Sequence, residues 1–384
     1  KGIDGLPKSD VLKITLEEGC SVVVRPSGTE PKIKMYLTII AKNHEEAIAF
    51  TMAKFVEPGI AVISSLDEID GIGHRIVHGG EKFTSSVIID DEVVEGIKDA
   101  IKFAPLHNPA HIQGIEACKK ALPGKKNVAV FDTAFHQTMP KEHYIFPIPY
   151  EYYEKYGVRK YGFHGTSHKY ITTKMKEKLG KEDVNLIICH IGSGASISAV
   201  KEGKCYDTTM GLTPLDGLMM GTRSGAIDPS IIEYVCGETG KTVAEVTNDL
   251  NKRSGLLGVA GYSDSRDVEN AAAEGNENAA LAITMYNNRI AKYIAEYYIE
   301  LEGKVDAIVF TAGVGENGRE ARADILGRLL PLGIKVDAEV NDTIASYKDK
   351  SEGIISAEDS SVAVWVVPTN EELMIIKDTY ELVK

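Results

Sequence analysis

The sequence contains few cysteines, one tryptophan and no long apolar run. Its five cysteines are an odd number spread over 384 residues, and no two of them form a CxxC pair. This usage argues against a disulfide framework or a zinc site and favours reduced thiols in the cytoplasm. No apolar run approaches the roughly twenty residues that span a bilayer, and no signal peptide is visible. We therefore expect a cytoplasmic protein with no membrane partner.

Positive charge is also scarce. The chain has 43 Lys and Arg residues against 56 Asp and Glu, which gives a formal net charge of −13. A protein this acidic is not expected to bind nucleic acid, because that contact requires a basic surface. An anionic small-molecule substrate would need arginines gathered at one place. The length suffices for two or three compact units with a sizeable core.

A glycine-rich loop divides one strongly apolar segment. Residues 183–200 read as two short strands around residues 192–196, which are Gly-Ser-Gly-Ala-Ser. Glycine leaves room for backbone N–H groups to converge on an anionic oxygen, so the loop could hold a phosphate. The same segment also fits a β-hairpin turn that uses Gly and Ser for turn geometry alone.

A second glycine-rich loop follows another apolar strand pattern. Residues 305–310 read as a buried strand, residues 311–317 as the loop, and residues 319–330 as a helix. Ligands of open α/β sheets lie beyond strand ends, where such loops gather. Two of these transitions in one chain suggest a nucleotide held between two lobes. Neither loop is a GxxxxGK[ST] P-loop or a GxGxxG fingerprint, so the ordinary P-loop and Rossmann folds are disfavoured.

The remaining loops contain cations and carboxylates suited to phosphoryl transfer. The transition state of that reaction spreads negative charge over three oxygens, which cationic groups and a metal must offset. Arginine stays charged and binds oxyanions bidentately, and carboxylates hold Mg²⁺. An Asp at a strand end would serve equally as a helix N-cap. The candidates are Arg75, His107, Asp132, His164, Arg223 and Glu371.

Residues 1–41 differ from the rest of the chain. Residues 11–16, 21–24 and 32–40 show strand patterns, and residues 25–31 read RPSGTEP. The Arg, Ser and Thr of that loop could bind a phosphate monoester, or the loop could be a polar turn. The segment resembles the final domain of phosphoglucomutases and phosphomannomutases, whose RPSGTEP loop holds a sugar phosphate. The earlier domains of that family carry its catalytic phosphoserine and metal ligands and have no counterpart here, so mutase activity is not expected.

Residues 43–384 resemble the acetate kinases throughout. The resemblance rests on eight segments in one order: GHRIVHGGEKFTSS, APLHNP, FDTAFHQTMP, RKYGFHGTSHKY, CHIGSGASISAV, LTPLDGLMMGTRSGAIDP, FTAGVGEN and PTNEEL. It implies an α/β fold of two domains, of the actin-like ATPase type shared with sugar kinases, that closes over ATP. The NAGSSS strand and turn with which acetate kinases begin is not found. We therefore expect the first N-terminal strands to be replaced by the mutase-like β fragment.

The resemblance implies a role for each catalytic candidate. Arg75 and Arg223 would contact the carboxylate and the phosphoryl group in flight. His164 would stabilise the transferred phosphoryl group, with His107 assisting nearby. Asp132 and Glu371 would position Mg²⁺ or Mn²⁺.

The resemblance also implies two binding surfaces. The nucleotide phosphates and the adenosine would lie against His190, Ile191, Gly192, Ser193, Gly194, Asp264, Ser265, Arg266, Gly313, Val314, Gly315, Glu316 and Asn317. The methyl group of acetate would enter a small apolar pocket made by Val77, Leu106, Phe163 and Pro214. A pocket of that size favours acetate over longer acids, although one methylene is weakly discriminated, so propionate should react slowly.

The implied organisation has four parts. Residues 1–42 would be the mutase-like fragment, residues 43–135 the remainder of the kinase N-terminal domain, residues 136–368 the C-terminal domain with the nucleotide site, and residues 369–384 a helix that returns to the N-terminal domain. Relatives are dimers built through the C-terminal domain, and the helical pattern of residues 277–301 is compatible with a homodimer.

The replaced N-terminus leaves two explanations and two activities open. A mutase fragment could have been joined to a kinase by fusion or an assembly artefact, which would expose sheet edges. Alternatively, the strands around RPSGTEP could fill the vacant place, with Ser27 or Thr29 facing the nucleotide. The expected activity is reversible, Mg²⁺-dependent phosphoryl transfer from ATP to acetate, giving acetyl phosphate and ADP. Replacement of the first N-terminal strands could impair this activity. The alternative is a catalytically inactive nucleotide-binding or sugar-phosphate-binding fusion protein.

Overall fold

Three β-sheets organise the part of the chain that the computed structural model describes, which is residues 12–15, 21–26, 33–38, 44–59, 61–105, 107–348 and 350–384. The first sheet is antiparallel, in the order β1-β2-β3. Its strands are β1 (Leu12–Thr15), β2 (Ser21–Pro26) and β3 (Ile33–Thr38). The three strand predictions for residues 11–40 are thus confirmed to within two residues at each end. Ser27 and Thr29, for which a nucleotide contact was an open alternative, lie outside the described residues.

The second sheet has the order β4-β6-β5. Its strands are β4 (Gly71–Ile76), β5 (Val87–Ile88) and β6 (Lys126–Phe131). Strands β4 and β6 run parallel, with Ile76 opposite Phe131, so both carboxyl ends meet at one edge. The helices before and between them are α1 (His44–Phe55), α2 (Asp91–Asp99) and α3 (Asn108–Ala121). Residues 62–64, between α1 and β4, form bends.

The third sheet has six strands in the order β11-β12-β10-β7-β8-β9. Strand β10 runs parallel to both neighbours, whereas β7-β8, β8-β9 and β11-β12 are antiparallel. Every residue of β7 and β10 is buried, as expected for strands covered by helices on both faces. The strands are β7 (Leu186–Ile191), β8 (Ala195–Lys201), β9 (Lys204–Thr208), β10 (Ala307–Thr311), β11 (Gly353–Ile354) and β12 (Ala363–Val366).

Helices cover both faces of this sheet. One core cluster includes Ile290 and Ile294 of α11, and the other includes Ile171 and Met175 of α6. The remaining helices of the described part of the chain are α4 (Lys141–Tyr144), α5 (Glu151–Tyr156), α6 (Gly165–Leu179), α7 (Ser230–Thr239), α8 (Val243–Lys252), α9 (Gly255–Ala260), α10 (Ser265–Ala273), α11 (Glu277–Glu300), α12 (Ala312–Asn317), α13 (Arg319–Gly327), α14 (Ala338–Thr343) and α15 (Glu371–Val383). Among the described residues, no helix is both long and apolar enough to span a membrane.

The last helix, α15, packs against β4 and β6 of the second sheet and against α6. Glycines in β4 make this approach possible. A Cβ added at Gly73 would lie 2.4 Å from Thr379 Oγ1 and 2.6 Å from Ile375 Cγ2. The helix therefore begins beside the edge at which β4 and β6 end, and its first residue is Glu371.

Candidate active site

An arginine and an aspartate meet where β4 and β6 end. Arg75 is the fifth residue of β4, and Asp132 directly follows β6. Arg75 Nε lies 3.1 Å from both carboxylate oxygens of Asp132, and its Nη2 donates a further bond to Oδ2. Thr166 Oγ1 donates to Oδ1 at 3.0 Å. The aspartate is buried, and its negative charge is the main reason that the pKa of Arg75 is raised.

Glu371 contributes a carboxylate with an unused oxygen. Its Oε1 is buried and has no hydrogen-bond partner among the described residues. The pKa of Glu371 is raised, first by burial and then by the charge of Asp132. Two neighbouring carboxylates with an unsatisfied buried oxygen form the kind of oxygen-rich site that Mg²⁺ or Mn²⁺ prefers. The residues present therefore fit a divalent cation.

A histidine and a second arginine approach the first glycine-rich loop. A Cβ added at Gly194 would lie 2.5 Å from Arg223 Nη2 and 3.4 Å from His164 Nε2. His164 lies directly before α6 in the left-handed conformation, with φ of 60°. Its ring stacks on that of His190 at 4.3 Å. Burial, followed by the charges of His190 and His168, lowers the pKa of His164 well below its ordinary value, so the ring is neutral at pH 7.

The two glycine-rich loops face one cleft of about 1080 Å³. A Cβ added at Gly192 would lie 3.7 Å from Ala312 Cβ, so the loops are in close proximity. The cleft is lined by eight of the residues predicted for the nucleotide: Gly192, Ser193, Asp264, Ser265, Arg266, Gly313, Val314 and Asn317. The first loop is also a hairpin turn, with Gly192 N donating to Gly194 O at 3.1 Å. The two interpretations of residues 192–196 are therefore compatible.

The other five predicted nucleotide residues are not in the lining of this cleft: His190, Ile191, Gly194, Gly315 and Glu316. Glu316 instead holds the second loop in place. Its Oε1 accepts bonds from Ala312 N at 2.9 Å and from Thr369 N at 3.1 Å. The buried Arg322 donates through Nη1 to the carbonyl of Gly315 at 2.9 Å and to that of Glu316 at 2.8 Å. These contacts connect the loop to the segment that precedes α15.

Sequence reasoning missed the part of the cleft wall that helices supply. Asn287, on the buried face of α11, donates to Asp324 Oδ2 on α13 at 2.8 Å. A buried Asn in an otherwise apolar stripe was the one available signal. The other missed lining residues include Asn270, Ile283, Tyr286, Arg319, Glu320 and Tyr347.

The apolar stripe along α11, whose pattern is compatible with a homodimer, has two parts. Ile290 and Ile294 are fully buried, whereas Leu281 is 51% exposed and Met285 is 44% exposed. The first part therefore lies in the core. The second part is an apolar surface at the beginning of the helix.

The residues predicted for the acetate methyl group are partly described. Phe163 is buried, Val77 packs against the same core cluster, and Pro214 O accepts a bond from Arg223 Nη1 at 2.7 Å. Leu106 lies outside the described residues. The buried His78 contacts this group through its ring, 5.6 Å from the ring of Phe163, and burial lowers the pKa of His78 to about 3.

His107 and an unpredicted neighbour lie at the start of α3. His107 is exposed at the position before the helix. His111, one turn later, accepts a bond at Nδ1 from Val77 N at 3.4 Å. The pKa of His111 is lowered by burial and then by the charges of His107 and Arg75. His111 is thus held against the pocket residue Val77.

One other group of side chains could in principle hold a metal. Ligand atoms of His143, Asp207 and Glu300 all lie within 4.8 Å of one another, and within the described ranges no second such group is found. Lys160 Nζ already bonds Asp207 Oδ1 at 2.5 Å, and the backbone N–H of Thr208 donates to the same oxygen. We interpret this cluster as a partly buried ion-pair network.

Comparison with known proteins identifies closely similar chains. The sequence model of the acetokinase family matches residues 14–377. Acetate kinase of Finegoldia magna is 55% identical over 344 residues, 89% of this chain and 86% of that protein. The crystal structure of Porphyromonas gingivalis acetate kinase has a TM-score of 0.85 at 42% identity, covering 95% of this chain and 93% of that one. A propionate kinase from Francisella tularensis has a TM-score of 0.84 at 43% identity, covering 94% and 93%.

These comparisons confirm the α/β fold of acetate kinase type with mixed sheets. They give no support to a mutase-like fragment. The family match begins at residue 14, within the segment that resembles the mutases.

Proposed function

The chain belongs to the acetokinase family, and we propose that it transfers the γ-phosphoryl group of ATP reversibly to acetate, giving acetyl phosphate and ADP. One observation carries the chemical part of this proposal. The side chains of Arg223 and His164 lie close to Gly194. Gly194 belongs to the first glycine-rich loop, which lines a cleft large enough for a nucleotide. Cationic and N–H groups are thereby directed at the place where a terminal phosphate would lie.

The nucleotide occupies the cleft with its phosphates against residues 192–194 and its adenosine toward residues 264–266 and 313–317. Backbone N–H groups of a glycine-rich turn bind phosphate oxygens without side-chain interference. In this part of the wall, Arg266 donates to Asp264 through Nε at 3.0 Å and Nη2 at 2.8 Å. The γ-phosphoryl group then projects toward Arg223 and His164.

Acetate binds beside Arg75 with its methyl group toward Val77, Phe163 and Pro214. A carboxylate oxygen of acetate attacks the γ-phosphorus, the bond to the ADP oxygen breaks, and the phosphoryl group moves in line between the two oxygens. Acetate is already ionised at pH 7, so no general base is required. Arg223 offsets the charge of the moving group, and the neutral His164 donates a hydrogen bond to it. Positioning and charge compensation supply the catalysis.

Asp132 and Glu371 would hold the divalent cation, Mg²⁺ or Mn²⁺. Such a cation, when bound, neutralises charge on the nucleotide phosphates. The unpaired buried oxygen of Glu371 supports this assignment, because an ionised oxygen without a partner is costly in a buried place. Asp132 is the less available ligand, since Arg75 and Thr166 already bond it.

Propionate is the second candidate substrate. The structural similarity to a propionate kinase favours it, whereas the small pocket favours acetate. One methylene in an apolar pocket changes kcat/KM by about 10- to 200-fold. Comparison of kcat/KM for the two acids decides between them, and a preference for propionate would contradict the acetate assignment.

We further propose the arrangement of the whole protein. Residues 43–135 and 369–384 form the N-terminal kinase domain, residues 136–368 form the C-terminal domain, and the protein is a cytoplasmic homodimer. The packing of α15 on β4 and β6 supports the first assignment, and the exposure of Leu281 and Met285 on α11 supports a subunit contact.

Residues 1–42 remain proposed as a mutase-like fragment, and the RPSGTEP segment is the sole support for this proposal. Thermal stabilisation by glucose 1-phosphate would support that fragment, and its absence would count against it.

An acyl-hydroxamate assay with ATP, Mg²⁺ and acetate tests the activity. The proposal expects acetyl phosphate to form in proportion to enzyme. Binding of ATP without turnover would instead identify a catalytically inactive nucleotide-binding protein.

A further inference from the structure

A chain of hydrogen bonds extends from His164 into the protein interior. His164 Nδ1 lies 2.9 Å from Ser196 Oγ, and His168 Nε2 lies 2.8 Å from the same oxygen. Ser196 and His168 are fully buried. One serine hydroxyl therefore connects the two imidazole rings, and none of the steps above uses this connection.

Local structure brings the three side chains together. His164 directly precedes α6, and His168 lies one helical turn later, with its backbone N–H donating to His164 O at 3.0 Å. Residues four apart lie on the same side of a helix. Ser196 approaches from β8, where it is paired with His190 of β7. The ring of His190 in turn stacks on that of His164, which limits its rotation.

The number of hydrogens restricts how these groups can bond. A serine hydroxyl has one hydrogen, so it can donate to only one of the two ring nitrogens. If both rings donated to the oxygen, the hydroxyl hydrogen would lack an acceptor, because no third group in the described chain bonds to Ser196 Oγ. One ring must therefore donate to the serine, and the other must accept from it.

The far side of the His168 ring determines the direction. His168 Nδ1 is buried and has no hydrogen-bond partner among the described residues. If His168 Nε2 were the acceptor, the neutral ring would carry its proton on Nδ1 and bury an unpaired N–H. Unpaired buried N–H groups are rarer than unpaired acceptors. His168 thus donates through Nε2–H to Ser196 Oγ, and the serine hydroxyl donates to His164 Nδ1.

We infer that Ser196 and His168 are positioning residues that fix His164 as the tautomer with its proton on Nε2. The Nε2 atom is the one that faces Gly194, where the phosphoryl group is transferred. With this tautomer the ring presents an N–H donor to the phosphoryl oxygens, whereas the other tautomer would present a lone pair and repel them. The inference rests on the proposed function. Burial lowers the pKa of both rings well below the ordinary value, which is consistent with two neutral imidazoles.

Two pairs of variants separate positioning from packing. Ser196→Ala removes both bonds, whereas Ser196→Thr keeps the hydroxyl. His168→Leu removes the donor, whereas His168→Gln keeps an N–H in a similar place. We expect kcat to fall about tenfold or more in the Ala and Leu variants, with KM for ATP and acetate within about twofold, and to recover in the Thr and Gln variants. Equal kcat in Ser196→Ala and wild type would overturn the inference.

A spectroscopic measurement on the wild-type protein does not depend on how the variants fold. In protein labelled with ¹⁵N at histidine, the ring nitrogen shifts report which nitrogen carries the proton, and comparison with His164→Asn assigns the signals. We expect His164 protonated at Nε2 at neutral pH, and a shift toward the other tautomer in Ser196→Ala. A proton on Nδ1 in the wild type would overturn the inference. Failure of the wild type to make acetyl phosphate would refute the proposed function, and the tautomer would still decide this inference.

Discussion

Arg75 and Asp132 form a forked ion pair across two neighbouring parallel strands, with Arg75 Nε 3.1 Å from both carboxylate oxygens. The aspartate is buried, whereas 45% of the arginine side chain is exposed. The arginine is therefore the member of the pair that a soluble carboxylate can reach. This arrangement supports the proposed contact between Arg75 and acetate.

Replacing Arg75 should weaken catalysis strongly. We expect Arg75→Ala to lower kcat/KM for acetate by about 10²- to 10³-fold, because a point of charge compensation is lost. Arg75→Lys should recover only part, since an ammonium group cannot bond both oxygens as a fork. The hydroxamate assay measures this effect. Arg253→Ala, at an exposed surface pair with Asp249, is the matched control. An unchanged rate in Arg75→Ala would exclude its role.

A single methyl group at residue 194 should disturb the same site from the loop side. The Cβ of Gly194→Ala would lie 2.5 Å from Arg223 Nη2, so the guanidinium must move. Gly194 has no positive φ, so the backbone itself accepts alanine. We expect kcat to fall about tenfold or more while the melting temperature changes little. Gly237→Ala in α7 adds a methyl group with no heavy atom within 4 Å and should leave kcat unchanged. Equal rates for the two variants would contradict the placement of Arg223.

The two glycine-rich loops could be predicted from the sequence because their signal is local. Strands β7 and β10 are short, mostly apolar segments that lead into glycine-rich loops, and both properties are local. The joining of Arg75 to Asp132 is not local, because it depends on the parallel pairing of β4 with β6. It could be expected only from the resemblance to a known family.

Removing the charge of Glu371 should raise the requirement for metal. We expect Glu371→Gln to increase the Mg²⁺ concentration for half-maximal activity by about 10- to 100-fold, with KM for acetate nearly unchanged. Glu372→Gln, the next residue of α15 and exposed, is the control. Titration of activity with Mg²⁺ measures the difference. The assignment fails if both variants titrate as the wild type does.

Arg322 should be important both for stability and for nucleotide binding. It is 1% exposed, and it donates to Asn341 Oδ1 and to four backbone carbonyls, two of them in the second glycine-rich loop. Arg322→Met leaves these acceptors unpaired, so we expect the unfolding free energy to fall by about 3–5 kcal/mol and KM for ATP to rise. Arg253→Met at the surface should change neither. Denaturant unfolding and ATP kinetics check the two effects, and a stable Arg322→Met with normal KM would contradict the contacts.

The ion-pair network around Glu300 should make stability depend on pH. Burial and then the charge of Asp207 raise the pKa of Glu300 from 4.5 to about 7. The folded carboxyl binds its proton more tightly than the unfolded one. Its stabilising contribution is therefore complete below about pH 4.5 and is lost as the pH rises through 7. The pKa of His143 is raised too, chiefly by its hydrogen bond with Asp207. Its contribution to stability is therefore also lost as the pH rises.

Glu300→Gln should remove most of this dependence. As the pH rises from 5 to 8, the unfolding free energy of the variant should fall less than that of the wild type. The charges of Lys160 and Glu296 also affect the pKa of Glu300, and both residues are unchanged in the variant. Glu274→Gln is the control for the change in net charge, because Glu274 is an exposed carboxylate directly after α10. Parallel pH curves for Glu300→Gln and wild type would refute the assignment.

The features that sequence reasoning missed are those made by packing between distant segments. Asn287 and Asp324 lie on different helices and come together only when α11 and α13 pack beside the cleft. The bond between Ser196 and His168 likewise joins a strand to a helix that sequence patterns treat separately. Glu316 was predicted to touch the nucleotide, yet its contacts hold the backbone of residues 312 and 369. A residue's type and neighbours do not reveal which of these partners it will meet.

The most direct test of the account follows the phosphorus itself. ³¹P NMR of the purified chain with ATP, Mg²⁺ and acetate should show acetyl phosphate and ADP appearing in equal amounts. With ¹⁸O-labelled acetate, one labelled oxygen should bridge carbon and phosphorus in the product. Hydrolysis of ATP to inorganic phosphate, or no change in ATP while the nucleotide binds, would contradict direct phosphoryl transfer to acetate.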